Sequence, residues 1–412
     1  MERAQFSPKR IAKAALKGVG FFFLGATLVA SVPYALTPVY DFPDARPFEG
    51  EILHNPYADA TGAWYKANLQ AHSGAWGGTT DGALSPRDLH RVYDSLGYDV
   101  IGITNYMSVY ASPVETESYI PMYEHGYNVW KRHHLAIGAR EVVWRDYVLF
   151  QTLSHKQHML NALRPTTEIL TIAHPKFMDG FVPEDFGYLT NYDYVEVLNH
   201  YRISLKHWDA ALTAGEPVWG MGNDDSHDQR KASETGRYWN MIRAKSASAE
   251  DVLAALKEGS TYCVAGEGGA MDNGVVGVSV RPKGVLIELE KPANSIRFVG
   301  SGGVVRDSVI GAKRAYYRFK PDDPYIRVEV ANPKTTFYLN PVYRRGEDAR
   351  PPREATVNYP LSILYWLAFL GAYFGVGYLF VRDRNKRRAR NNRRARNNRR
   401  ERNNRRERRR AG

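Results

Sequence analysis

Cysteine is nearly absent from this chain. Cys263 is its one cysteine, so there is no intrachain disulfide framework and no Cys-x-x-Cys pair to offer thiolates to zinc. A metal site here has to be built from nitrogen and oxygen, and the redox compartment stays open. Net charge is also missing from most of the chain. The formal charge of +12 over 412 residues resembles a nucleic-acid signature, but Arg382 to Gly412 holds 17 Lys/Arg against 3 Asp/Glu, leaving 39 against 41 elsewhere. The basicity belongs to the tail. The body has no global field to attract polyanions, so a nucleic-acid partner is not expected. What the chain does have is 43% hydrophobic and 12% aromatic residues, enough for a substantial core in two or three domains.

Two stretches lack charge altogether. Residues 1–17 carry Arg3, Lys9, Arg10, Lys13 and Lys17, and the following 18–40 are rich in Phe, Leu, Val and Ala without a charge. At about 1.5 Å per residue this run spans a hydrocarbon core of roughly 30 Å. An uncleaved anchor is the reading adopted; the competing one is a secretory signal cut near Ala30-Ser31-Val32. The second uncharged stretch, 355–381, has Pro360 placed for a first helical turn and Tyr365, Trp366 and Tyr378 placed for interfacial zones. Lys/Arg flank the outer end of each stretch. This predicts a membrane protein with both termini cytoplasmic and the main domain extracytoplasmic. The tail 382–412 repeats Arg-Arg-Ala-Arg-Asn-Asn, passing to Arg-Arg-Glu-Arg-Asn-Asn. It buries no core and is expected to be disordered, serving as a topogenic signal in preference to a contact for anionic lipid or RNA.

Beyond a Pro-containing linker at 41–59, strand signals alternate with helical ones. Strands are expected at 65–71, 100–104, 136–143, 170–173, 194–198, 218–221 and 238–243. Ser85-Pro-Arg-Asp88 and Ser248-Ala-Glu-Asp251 read as helix N-caps. Alternation of this kind predicts an α/β barrel or open parallel sheet with its active residues at the carboxyl ends of the strands. From about Gly266 short strands follow one another between Pro/Gly turns, which predicts a separate β-rich module over 266–350.

Polar residues stand at or beyond those strand ends: Gln70 and His72; Asp81; Asn105 and Tyr106; Glu141; His174; Glu196 and Asn199; Asp225 and His227. Histidine and carboxylate without sulfur are the ligands of hydrolytic Zn, Mn or Fe sites. A lone histidine at a strand end is ordinarily structural, but a series at successive strand ends is hard to attribute to packing. Gln70 and His72, two apart in a strand, face the same side. Arg140, Lys176 and Arg202 lie beside these positions as candidate substrate-binding cations, though an exposed charge more often has no such role.

Gln70-Ala-His72, Thr80-Asp-Gly-Ala-Leu-Ser-Pro86, Ile103-Thr-Asn-Tyr106, His174-Pro175 and Asp225-Ser-His227 together resemble the motifs of the polymerase and histidinol phosphatase (PHP) superfamily of metal-dependent phosphoesterases, in order and spacing over roughly 60–265. The β-rich extension, with Tyr325-Ile-Arg-Val-Glu-Val and Asn340-Pro-Val-Tyr343, is similar to its CehA/McbA-like branch. The resemblance implies a distorted (βα)7 barrel at 60–265 and a β module at 266–350, which the two apolar stretches would flank as transmembrane helices. It also implies a divalent-metal centre in which a bridging glutamate, looking like Glu141, joins His72, His174, Asp225 and His227. Gln70 and Asp81 are further ligand candidates, with either His158 or His155 as a further histidine. His72, Glu141 and Asp225 take the catalytic roles, using a metal-activated water on a small phosphoester or ester substrate. The pattern departs at Gln70, Asn105 and Tyr106, where the family has histidine, aspartate and histidine. One or two metals are therefore expected, and the alternative is a pseudoenzyme that binds or scaffolds.

Overall fold

The computed structural model describes residues 8–111, 117–348 and 351–408. They divide into two compact units, Tyr40–Thr356 and the pair of terminal segments outside it.

The terminal unit is two helices, Pro8–Leu36 and Tyr359–Arg408. Each contains a stretch long and apolar enough, by length and composition, to cross a membrane. They pair antiparallel: Ser31 Oγ lies 2.8 Å from the Tyr373 hydroxyl, and Phe21 meets Phe380 edge-on at 5.7 Å. Phe22, Phe23, Leu364 and Phe374 point outward. The second helix continues through the Arg/Asn repeats to Arg408, where the composition predicts disorder. The apolar segment has already met the cost of nucleation, and Arg and Ala then propagate a helix readily.

In the Tyr40–Thr356 unit, five strands form one sheet in the order Met122–His125, His134–Ile137, Ile169–Ile172, Tyr194–Leu198, Trp219–Gly222. The first two contacts are antiparallel and the last two parallel. A larger sheet pairs Ala63–Asn68 with Val100–Ile101 on one side and Tyr238–Ala244 on the other. The two sheets touch through isolated bridges, Ala71 to Ser226 and Tyr106 to Glu124. Among the described residues the ladders do not close into the expected barrel. Helices Pro86–Ser95 and Ala249–Glu258 begin at the expected caps, with Ser85 and Ser248 accepting from the amides of Asp88 and Asp251.

The expected boundary at 265/266 does not divide the fold. Thr261–Ala265 pairs with Tyr238–Ala244 on one edge and Thr336–Leu339 on the other, so the large sheet runs on into Tyr325–Ala331, Ser295–Gly300 and Val304–Ile310. One core joins Tyr93 and Trp239 to Val285, Phe298 and Phe337. The β-rich strands bury their apolar faces on the α/β part, so they need no core of their own.

Candidate metal centre

The bridges between the sheets build the site. The amides of Asp225 and His72 donate to Gln70 O and Ser226 O at 3.0 and 2.9 Å, laying 70–72 beside 225–226. The Met107 amide donates to Glu124 O at 2.8 Å and sets the 104–107 segment against the Met122–His125 strand. Buried amides lock this junction: Asn223 Oδ1 accepts from Leu69 N, and Asn68 Oδ1 from Asp224 N.

Glu124 lies at the centre, fully buried. Its Oε2 is 2.8 Å from His72 Nε2, and its Oε1 is 2.5 Å from His133 Nδ1 and 3.0 Å from His174 Nε2. Asp225 Oδ1 is 3.1 Å from His72 Nε2, and the His227 ring stacks on His72 with centroids 4.2 Å apart. Among the described residues two groups could hold a metal ion, His72–Asp225–His227 and Glu124–His133–His174, the ligand atoms within each lying within 4.8 Å of one another. His174 and Asp225 both have left-handed backbone, φ 27° and 50°. Such strain concentrates at functional positions.

Burial alone would push His72 down, but hydrogen bonds to Asp225 and Glu124 outweigh it and hold the ring up to about 10. His174, also opposed by burial, is held up to about 9 by Glu124. Burial would raise Glu124, yet His133, His174 and His72 keep its carboxyl well below the usual range. Burial pushes His133 and His227 down. The centre thus pairs ionised carboxylates with imidazoles that carry protons where a cation would otherwise sit. Behind it, Asn199 Nδ2 donates to Asp225 Oδ2 at 3.1 Å and to Glu196 Oε2 at 3.0 Å, and the His174 amide donates to Glu196 at 2.8 Å. Burial, with the charge of Asp225 adding to it, pushes Glu196 up to about 8 against the pull of His174.

The structure brings together His72, His174, Asp225 and His227, with Gln70 and Asp81 at the edge. Gln70 Nε2 donates to Glu124 Oε2 at 3.1 Å, and its Oε1 is buried without a hydrogen-bond partner, an oxygen left over for a cation. Asp81 is exposed, 3.4 Å from His227 Nε2. Asn105 is structural, accepting from the Ser73 amide at 2.9 Å. The Tyr106 hydroxyl sits 3.2 Å from His227 Nε2, and burial with the charges of Glu124 and Asp225 keeps it a phenol.

Other expected residues stand apart. Glu141 is exposed and belongs to neither group that could hold a metal ion, whereas Glu124 belongs to one. The strand expected over 136–143 stops at Ile137, where Gly138 turns at φ 67° and a Cβ would lie 2.6 Å from the Glu168 side chain, so 141 leaves the sheet. His158 hydrogen-bonds the Tyr40 hydroxyl and Arg145, and His155 caps its own helix through Thr152. Arg140 is held by Glu168 and the Pro165 carbonyl; Lys176 and Arg202 are exposed. Glu124 and His133 escape the strand-end reading because the Met122–His125 strand was not expected. A Glu-His pair ending Ile120-Pro-Met-Tyr-Glu-His125 and the doublet His133-His134 were the available signals. Lys131 is another such residue, its ammonium 5.6 Å from the Tyr106 ring centre. Two clefts, of about 760 and 1050 Å³, lie elsewhere, lined by residues such as Asn55 and Glu258 or Phe48 and Lys320. Neither contains one of the two metal-binding groups.

Fold and centre define a mixed α/β protein with buried histidine–carboxylate groups able to bind metal ions. No protein-family model and no curated protein matches the chain. Among solved structures, it is similar to a two-domain protein containing a predicted PHP-like metal-dependent phosphoesterase from Bacteroides vulgatus. The TM-score is 0.39 at 14% identity, over 74% of this chain and 92% of that one. At that distance the likeness assigns neither family nor activity.

Proposed function

We propose that this chain is a membrane-anchored, metal-dependent hydrolase of phosphoesters, related to the PHP superfamily and its CehA/McbA-like branch. The observation that carries the reading is Glu124, fully buried, with three imidazoles on its two oxygens and Asp225 beside them. A buried carboxylate needs one partner; this one has four, three of them imidazoles, in a set of nitrogen and oxygen donors suited to a divalent cation.

His72, Asp225 and His227 would hold one ion, and Glu124, His133 and His174 another. When bound, such an ion lowers the pKa of water and offsets charge on a phosphoryl oxygen. Asn199 orients Asp225, and Glu196 fixes the His174 backbone. Tyr106, a neutral donor at the edge, can hydrogen-bond a substrate oxygen, and Lys131 adds a positive charge beside it. Hydrolysis forms a P–O bond to water's oxygen and breaks the ester P–O bond; water's protons go to the products.

A second reading, a binding or scaffold module, is favoured by Gln70, whose amide already donates to Glu124. Elemental analysis of the purified full chain, with assay on an aryl phosphate, decides between them. At least one equivalent of Zn, Mn or Fe with turnover is expected. Under half an equivalent after metal-supplemented purification, with no turnover, would sink the catalytic reading.

A further inference from the structure

The site approaches the surface beside Tyr106, where aromatic side chains stand around it together with Asp81 and Lys131. Trp76 donates its indole N–H to Tyr106 O at 2.8 Å and meets Trp144 edge-on at 6.0 Å. On another side Phe177 lies 5.7 Å from His174, followed by Met178, and Arg132 joins that turn to Trp130 by donating to Gly180 O at 2.7 Å while stacking on the indole. Trp76, Trp130, Trp144 and Met178 are 46–59% exposed. Three exposed tryptophans around one centre are unusual for a surface that meets only water.

The same surface leads to the ends of the unit. Arg145, next to Trp144, bonds His158, which bonds the Tyr40 hydroxyl at 3.0 Å. Exposed Tyr188 packs on Phe42 at 6.2 Å, and Thr190 Oγ1 accepts from the Ala355 amide at 3.3 Å. The apolar helices end at Leu36 and begin at Tyr359. The chain from Leu36 to Tyr40 reaches at most about 14 Å when extended, and that from Thr356 to Tyr359 less. If the helices cross a bilayer, these short connections tether both ends of the unit close to it. Trp and Tyr prefer the headgroup zone, and Lys131 and Arg132, beside Trp130, suit phosphate.

We propose that the aromatic margin of the site contacts the bilayer and that the substrate is the phosphoester headgroup of a membrane lipid, drawn to the site while its tails stay in the membrane. The substrate class rests on the hydrolase reading; the bilayer contact does not. In the reaction water's oxygen bonds to phosphorus, the bond from phosphorus to one ester oxygen breaks, and the alcohol leaves with a proton.

The test uses the full chain reconstituted in vesicles of phosphatidylcholine, phosphatidylglycerol and phosphatidic acid, with products read by phosphorus NMR and p-nitrophenyl phosphate as the soluble ester. The Trp130→Ser/Trp144→Ser variant is expected to lose at least tenfold in rate on vesicle lipid and to stay within twofold on the soluble ester. Equal effects on both esters, or none on either, overturn the lipid substrate. In vesicles of brominated phosphatidylcholine, the emission lost on making the variant is expected to be bromine-quenched. Absence of that quenching overturns the bilayer contact. Quenching with no turnover of any ester overturns the hydrolase reading and the substrate class with it, and supports the contact alone.

Discussion

Two of the buried charge clusters in the Tyr40–Thr356 unit differ in how they are closed. In one, Arg327 sends Nε and Nη2 to Asp209 at 2.7 and 3.0 Å and Nη1 to Glu329 at 2.6 Å, beneath Trp208. Every partner is a fixed cation or a carboxylate, and a guanidinium keeps its protons. In the other, Glu124 and Asp225 face imidazoles, which release a proton to become lone-pair donors. The first cluster is a completed ion pair. The second is satisfied by protons that a cation can replace, and Gln70 Oε1 remains without a partner. Burial and charge alone do not distinguish a structural cluster from a site; the exchangeability of its protons does.

Four experiments would break or sharpen this contrast. Glu124→Gln should remove bound metal and lower turnover by about 10³-fold or more, since it takes away the carboxylate shared by three histidines. Glu141→Gln should leave both within twofold, and a loss there would return the bridging role to Glu141. Asp209→Asn should leave metal content unchanged and destabilise the fold by about 3 kcal/mol, seen in thermal unfolding of the detergent-solubilised chain, because it removes one of the two carboxylates that neutralise a buried guanidinium. Loss of metal in that variant would show that the two clusters are not independent. The smallest effect is in protons. His72 and His174, held up to about 10 and 9, are both protonated at pH 7 and must deprotonate to ligate. Metal uptake at pH 7 should therefore release about two protons, and affinity should climb as pH rises toward those values. Calorimetry in buffers of differing ionisation enthalpy measures the count, and a value of zero would place the metal elsewhere.

Much of the centre was legible along the chain. His72, His174, Asp225 and His227 each sit just past an apolar strand or in a short polar run, where residue type and position coincide. Glu124 was not, because a buried strand of four residues carries too little pattern to announce itself, and a shift in which segment forms the neighbouring strand moved the glutamate reading to Glu141. The helix caps at Ser85 and Ser248 were legible because they depend on neighbours within one turn.

The sequence by itself determined the local and the compositional: two apolar segments long enough for a bilayer, a near-neutral body, a basic tail, capped helices and a sulfur-free donor set. Those follow from residue type and short-range spacing. Only the tertiary structure decided that the two sheets touch at isolated bridges without closing, that the β-rich strands extend the α/β sheet, and that Glu124 and His133 complete the centre. Each of these is a pairing between segments distant in the chain, selected by which apolar faces can be buried together, and no short window of residues contains that choice.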